Sequence, residues 1–216
     1  MNWLVAGPKR LTLLLWFLTA IPILFAIARM VQVAVADLPA DAVKFAATPL
    51  GLFFHALGGS LFGILGPLQF AGVMKRRFGR LHRVLGRVFV AAGALLSVSS
   101  LRLLWAFPIT STPLLDWARF MAGLGLGVAL WLAVTAARRR DIPTHKAWMI
   151  RAYAIGMGSA TVSFFALPVY LVTGEPVVGV TADMLFVWSW ALNLWIAERV
   201  IRRGGYQGHR PPAARS

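Results

Sequence analysis

The sequence predicts an all-α, polytopic membrane protein: a bundle of six transmembrane helices with both termini on the cytoplasmic side (N-in, C-in). Three observations carry that prediction. Of the 216 residues, 59% are hydrophobic and only 13% charged, with a mean hydropathy of +0.72, more apolar surface than a water-facing globule of this size could hide. The apolar residues fall in runs of roughly 20, the length that crosses a hydrocarbon core at helical rise. The basic residues fall between those runs. Their excess gives a net charge of +15, which raises the question of nucleic acid. Placement answers it: cations between apolar runs fit topology and contact with anionic membrane lipids, and no nucleic-acid partner is expected. There is no cysteine, which excludes disulfide, thiol and thiolate-metal chemistry.

Helix one is expected at about 11–33, after Lys9 and Arg10. Ala34-Val35-Ala36 resembles a cleavage site, but the run exceeds the ~7–15 residues of a signal-peptide core, so it reads as an uncleaved span. The connector 36–46 carries Asp37, Asp41 and a single lysine and belongs outside. Helix two, about 48–72, contains Gly58, Gly59, Gly63 and Gly66. Gly59 and Gly63, four apart, let another helix approach closely, and Pro67 bends the inner end. A dense cationic loop, KRRFGRLHR, leads to helix three at about 84–107, closed by Pro108 and Pro113. Helix four, about 115–137, repeats the small-residue spacing at Gly123 and Gly127. The basic loop RRRDIPTHK precedes helix five at about 147–172, and the non-basic TGEPVVGVTAD precedes helix six at about 184–201. Residues 1–203 therefore read as one transmembrane domain and 204–216 as a mobile polar tail.

Six spans put both ends of the chain on one side. All of the 22 Lys and Arg except Arg29, Lys44, Arg102 and Arg119 fall in segments on that side. Asp37, Asp41, Asp116, Glu175 and Asp183 fall in or beside the opposite connectors. By the positive-inside rule the basic side is cytoplasmic, and in a bacterium the membrane is the inner one.

Chemistry must come from the few polar groups at membrane depth. His55 lies about five residues outward of the middle of helix two, roughly 7 Å at helical rise, and Arg102 lies at the same level on helix three. Arg119 stands slightly higher on helix four, with Asp116 three residues before it to pair with. An arginine in hydrocarbon needs an anion, a cavity or an escape to the interface. The reading is an outward-opening pocket of His55, Arg102 and Arg119, suited to an anionic head group, a quinone carbonyl or a haem propionate; packing, with Arg102 snorkelling, is the competing account. His82 and His145, just before helices three and five, share a second, inner level and could ligate one b-type haem axially. Arg151 and Glu198 fall at similar depth and read as a structural ion pair. Gln69 and Asn193 read as interhelical hydrogen-bond partners, and Trp188, Trp190 and Trp195 as packing and membrane anchoring. No metal site beyond haem iron is expected, and zinc, nucleophile-elbow, P-loop and dinucleotide motifs are absent.

These same residues carry a resemblance. His55 with Gly58-Gly59, Gly66-Pro67-Leu68-Gln69-Phe70, Leu81-His82-Arg83 with Leu85-Gly86-Arg87, and His145 with Trp148-Met149-Ile150-Arg151 and Tyr153-Ala154 resemble a family of bacterial inner-membrane proteins catalogued as domain of unknown function 2306. The likeness covers about 48–203 and implies a multi-helix membrane fold, without an activity. A looser likeness links the HR-x-LG segment to the cytochrome b561 and ferric reductase group. That group carries paired haem ligands on two helices, and this sequence departs from it: only His55 is at membrane depth.

Three functions follow as expectations. One is a redox-associated protein that binds haem b or quinone and takes part in electron transfer. Another is non-redox binding or transport of an anionic or lipid-like ligand. The third is an accessory subunit that packs against other membrane subunits.

Overall fold

A computed structural model describes residues 8–38, 43–106 and 112–204. Asp41, Pro108 and the tail beyond Gly204 lie outside the described residues. Those described form α1 (Pro8–Ala34), a 3-10 turn (Val43–Ala47), α2 (Pro49–Phe70), α3 (Gly72–Arg77), α4 (Gly79–Ala106), α5 (Pro113–Arg138), α6 (Ile142–Gly156), α7 (Gly158–Thr173) and α8 (Gly179–Arg203). Among them there is no strand, and six stretches are long and apolar enough to cross a membrane. Five of these are single helices; the other, Ile142–Thr173, is α6 and α7 in succession.

Prolines pre-set the helical φ at the first turns of α2, α5 and α6. At α6 the Asp141 carboxylate accepts from the Thr144 amide at 3.2 Å and caps the helix. The apolar pattern located the spans but cut several helices short. Helices α4 and α6 each begin five residues ahead of the expected start, which puts His82 and His145 inside their first turns. The reason is that hydropathy marks where hydrocarbon ends, whereas arginine and lysine propagate a helix readily beyond it.

Helix α2 has α1 and α4 on its flanks and reaches α6; α5 lies between α4 and α6; α8 packs on α5, α6 and α7; α1 closes onto α7. Apolar residues of α1 such as Leu13, Phe17 and Leu24 are exposed, as a lipid-facing surface requires. The core sits between α2, α4, α5 and α6. Phe62 and Phe89, both fully buried, stack with centroids 4.3 Å apart and planes 14° from parallel.

Glycines make room for that stack. A Cβ at Gly93 of α4 would lie 2.7 Å from the Phe62 ring, and one at Gly156 of α6 would lie 2.5 Å from it. The backbone of α4 comes close to α2 at Gly58, where a Cβ would stand 2.9 Å from the Leu96 amide nitrogen. Gly59, by contrast, has ordinary room against the Leu96 side chain, and Gly63 faces Ile23 and Thr19 of α1. The helix-four pair packs onto α4: Gly123 against Leu101 and Gly127 against Ser97, whose hydroxyl donates to the Gly123 carbonyl at 2.7 Å.

Candidate functional site

The fifth span breaks halfway along. Helix α6 ends at Gly156 and α7 begins at Gly158, with Met157 between them. Gly156 and Gly158 are weak helix formers, and their missing side chains let neighbours reach the backbone. A Cβ at Gly158 would lie 2.0 Å from the Trp190 indole nitrogen. Backbone carbonyls at membrane depth must find donors, and α8 supplies them. Trp190 Nε1 donates to the Ile155 carbonyl at 3.1 Å, and Asn193 Nδ2 donates to the Ala154 carbonyl at 3.2 Å. The Asn193 oxygen accepts from Thr161 Oγ1 at 2.9 Å, which ties the start of α7 to the same side chain.

Irregular backbone at this depth is tolerated where it is buried in protein or lines a cavity, and a cavity of about 410 Å³ adjoins the break. All six spans contribute to its wall. Thr19 and Pro22 come from α1, Gly59 from α2, Leu96 from α4, Leu126 from α5, Ile155 and Ser159 from the broken span, and Phe186 from α8. Most of the wall is apolar. Two groups carry its chemistry: His55 and Arg119.

His55 is held from α4. Its Nδ1 lies 3.4 Å from Ser99 Oγ and 3.3 Å from Ser100 Oγ. Arg119 is held from two directions. Its guanidinium lies 5.3 Å from the Phe186 ring centroid, within cation–π range, and 3.9 Å from the Asp116 carboxylate one turn earlier. The buried Asp183 of α8 accepts from the Thr112 hydroxyl, which fastens the start of α5 to α8 beside that cation.

Of the residues the sequence placed at the outer level, the cavity brings His55 and Arg119 together and leaves Arg102 out. Arg102 is exposed and is not among the lining residues. The cause is helical phase. Leu96, Ser100 and Leu103 line the cavity, and at about 100° per residue Arg102 falls on the far side of the same helix.

The inner level is arranged differently. His145 Nδ1 lies 2.9 Å from the Ala133 carbonyl, so the ring is turned from α6 onto α5. His82 stands in the first turn of α4, and neither histidine lines the cavity. With His55 its one imidazole, the cavity does not fit a haem held between two histidines. Among the described residues there is no group of three or more histidine or acidic side chains that could hold a metal ion. Arg151 and Glu198 form a two-point pair, Nε to Oε1 at 2.6 Å and Nη2 to Oε2 at 3.1 Å, with the guanidinium 4.6 Å from the Trp148 ring centroid.

Sequence reasoning missed three contributors. Ser99 and Ser100 carry no signal alone, though as adjacent hydroxyls at the depth of His55 they were readable. The sequence reads Trp188, Trp190 and Trp195 alike as packing and anchoring, yet Trp188 and Trp195 are exposed and Trp190 is turned onto the Ile155 carbonyl. The break itself was announced only by glycines on either side of Met157.

No curated protein and no solved structure matches the chain. A family profile matches residues 52–201, a stretch that holds the break, His55 and Arg119 of the cavity wall and both inner histidines. The chain thus belongs to the family described as predicted membrane protein, DUF2306.

Proposed function

We propose that this membrane protein binds a bilayer-soluble molecule with a compact, oxygen-bearing ring head, of the quinone class, at the break in its fifth span. The observation that carries the reading is one imidazole and one guanidinium on a mostly apolar cavity of about 410 Å³ within the bundle. That volume lies in the range of small-molecule sites, and a few convergent polar groups on apolar walls are what orient such a ligand. His55 and Arg119 hold the oxygens of the head. A redox-associated role follows from the ligand class.

A second reading, transport of an anionic or lipid-like molecule, draws on the broken span itself, because discontinuous helices at the midplane form the binding sites of many secondary transporters. For orientation we take both termini as cytoplasmic in a bacterial inner membrane. This rests on Arg138, Arg139 and Arg140 at one end of the bundle and on Asp37 and Glu175 at the other.

The test is thermal unfolding of the purified protein with a short-chain ubiquinone analogue, supplied oxidised and reduced. Stabilisation that grows with concentration is expected in the parent, because a ligand that binds only the folded state raises its stability by mass action. His55→Ala and Arg119→Ala each remove it, and Arg102→Ala keeps it. A parent indifferent to both forms defeats the quinone reading. An absorption spectrum of the same sample with a Soret band, lost in His82→Ala or His145→Ala, replaces it with haem.

A further inference from the structure

Resting on the quinone-class reading, the geometry points to a preference for the reduced form: we propose that the cavity selects a quinol over the corresponding quinone. The argument follows the protons around His55. A serine hydroxyl has one proton to give and two lone pairs with which to accept. Ser100 Oγ gives its proton to the Leu96 carbonyl at 2.7 Å, and Ser99 Oγ gives its own to the Leu95 carbonyl at 2.7 Å, with Leu96 O at 3.1 Å. Both hydroxyls are therefore spent, and toward His55 they offer only lone pairs. With both hydroxyls donating to the helix carbonyls, we assign the ring proton to Nδ1, which lies 3.3 and 3.4 Å from the two serine oxygens. In a neutral imidazole Nε2 is then the bare, accepting nitrogen.

His55 is itself a residue of the cavity wall, and in the proposed complex Nε2, on the edge away from the serines, is the nitrogen that meets the ligand. A ligand atom that meets Nε2 must donate. Arg119, on the same cavity wall, has only N–H donors and no acceptor, so a ligand atom that meets it must accept. A quinol satisfies both demands: one hydroxyl donates to His55, and the other offers its oxygen to Arg119. A quinone satisfies only the second. Its first carbonyl would set an acceptor against the Nε2 lone pair in a mostly apolar site, where an unmade hydrogen bond is costly. One such bond corresponds to about tenfold in affinity.

The experiment uses the full chain in lipid nanodiscs under anaerobic conditions. Apparent affinities for decylubiquinol and decylubiquinone are taken from ligand-dependent unfolding, in the parent and in Ser99→Ala/Ser100→Ala. The parent is expected to favour the quinol by about tenfold. The double variant, whose ring is free to move its proton to Nε2, is expected to bring the ratio close to one. Equal affinities in the parent, both lost in His55→Ala, overturn the selectivity and leave the quinone site standing. No binding of either form removes the site itself. A preference that survives in the double variant overturns the serine-set proton position. Ring ¹⁵N shifts of His55 in the ligand-free parent give a direct check that needs no variant: a protonated Nε2 overturns the inference.

Discussion

Arg102 and Arg119 occupy similar depths on neighbouring spans, yet one is exposed and the other lines a cavity. Depth follows from counting along a helix; facing follows from phase, and two residues of shift separate Ser100 on the wall from Arg102 off it. Arg151 illustrates how much a single side chain can organise. It makes two hydrogen bonds to Glu198 of α8 and lies over Trp148 of its own helix. A lysine reproduces the charge but neither the fork nor the planar stack. Because both partners are partly exposed, at 26% and 37% of their side chains, solvent screening limits the loss. Arg151→Lys is expected to destabilise by about 1 kcal/mol, seen as ~2–4 °C in the unfolding midpoint. An unchanged midpoint would show that α6 and α8 are held by packing alone.

At the scale of helices, the spans themselves were legible because hydrocarbon thickness and backbone satisfaction leave a run of apolar residues one structural choice. What the runs did not reveal was the interruption of the fifth, since periodicity and hydropathy pass through Gly156-Met157-Gly158 without a break. The sign lay on another helix, in Trp190 and Asn193, whose side chains donate to the Ile155 and Ala154 carbonyls at the end of α6. Trp190→Phe keeps an aromatic six-membered ring but removes the donor with its half of the indole; Asn193→Leu removes one donor and the acceptor for Thr161. Interhelical hydrogen bonds in membranes average about 0.6 kcal/mol with a maximum near 1.7. The asparagine variant is expected to unfold at the lower temperature of the two, and the reverse order would mean that Trp190 is the main fastening of the break. Small-residue spacing was legible in kind but not in position. The sequence pointed to Gly59 and Gly63, whereas the backbone of α4 presses on Gly58. Since Leu96 N cannot swing aside, Gly58→Ala must push α2 and α4 apart, and overpacking of that sort costs about 1–3 kcal/mol. Gly59→Ala meets only a side-chain methyl at 3.7 Å and is expected to unfold with the parent. Equal losses in the two variants would place the close contact elsewhere.

For the molecule as a whole, the bundle is a wall of six spans around a cavity, and the direction in which it stands in the membrane decides which compartment the cavity's polar end faces. His55, Arg119, Asp116 and Asp183 all lie toward the end of the bundle that carries Asp37 and Glu175, whereas Arg138, Arg139 and Arg140 crowd the other. The positive-inside rule weighs lysine and arginine in short loops, and both basic loops here are short. The chain lacks cysteine, so single thiols report orientation without background. Cysteines placed at exposed Glu175 and exposed Arg139 perturb neither the cavity nor the core. In intact spheroplasts a membrane-impermeant maleimide is expected to label Glu175→Cys and to leave Arg139→Cys unlabelled until the membrane is opened. The opposite pattern inverts the bundle and turns the His55 end toward the cytoplasm. The same two cysteines therefore also decide from which compartment a water-soluble partner could reach that end of the cavity.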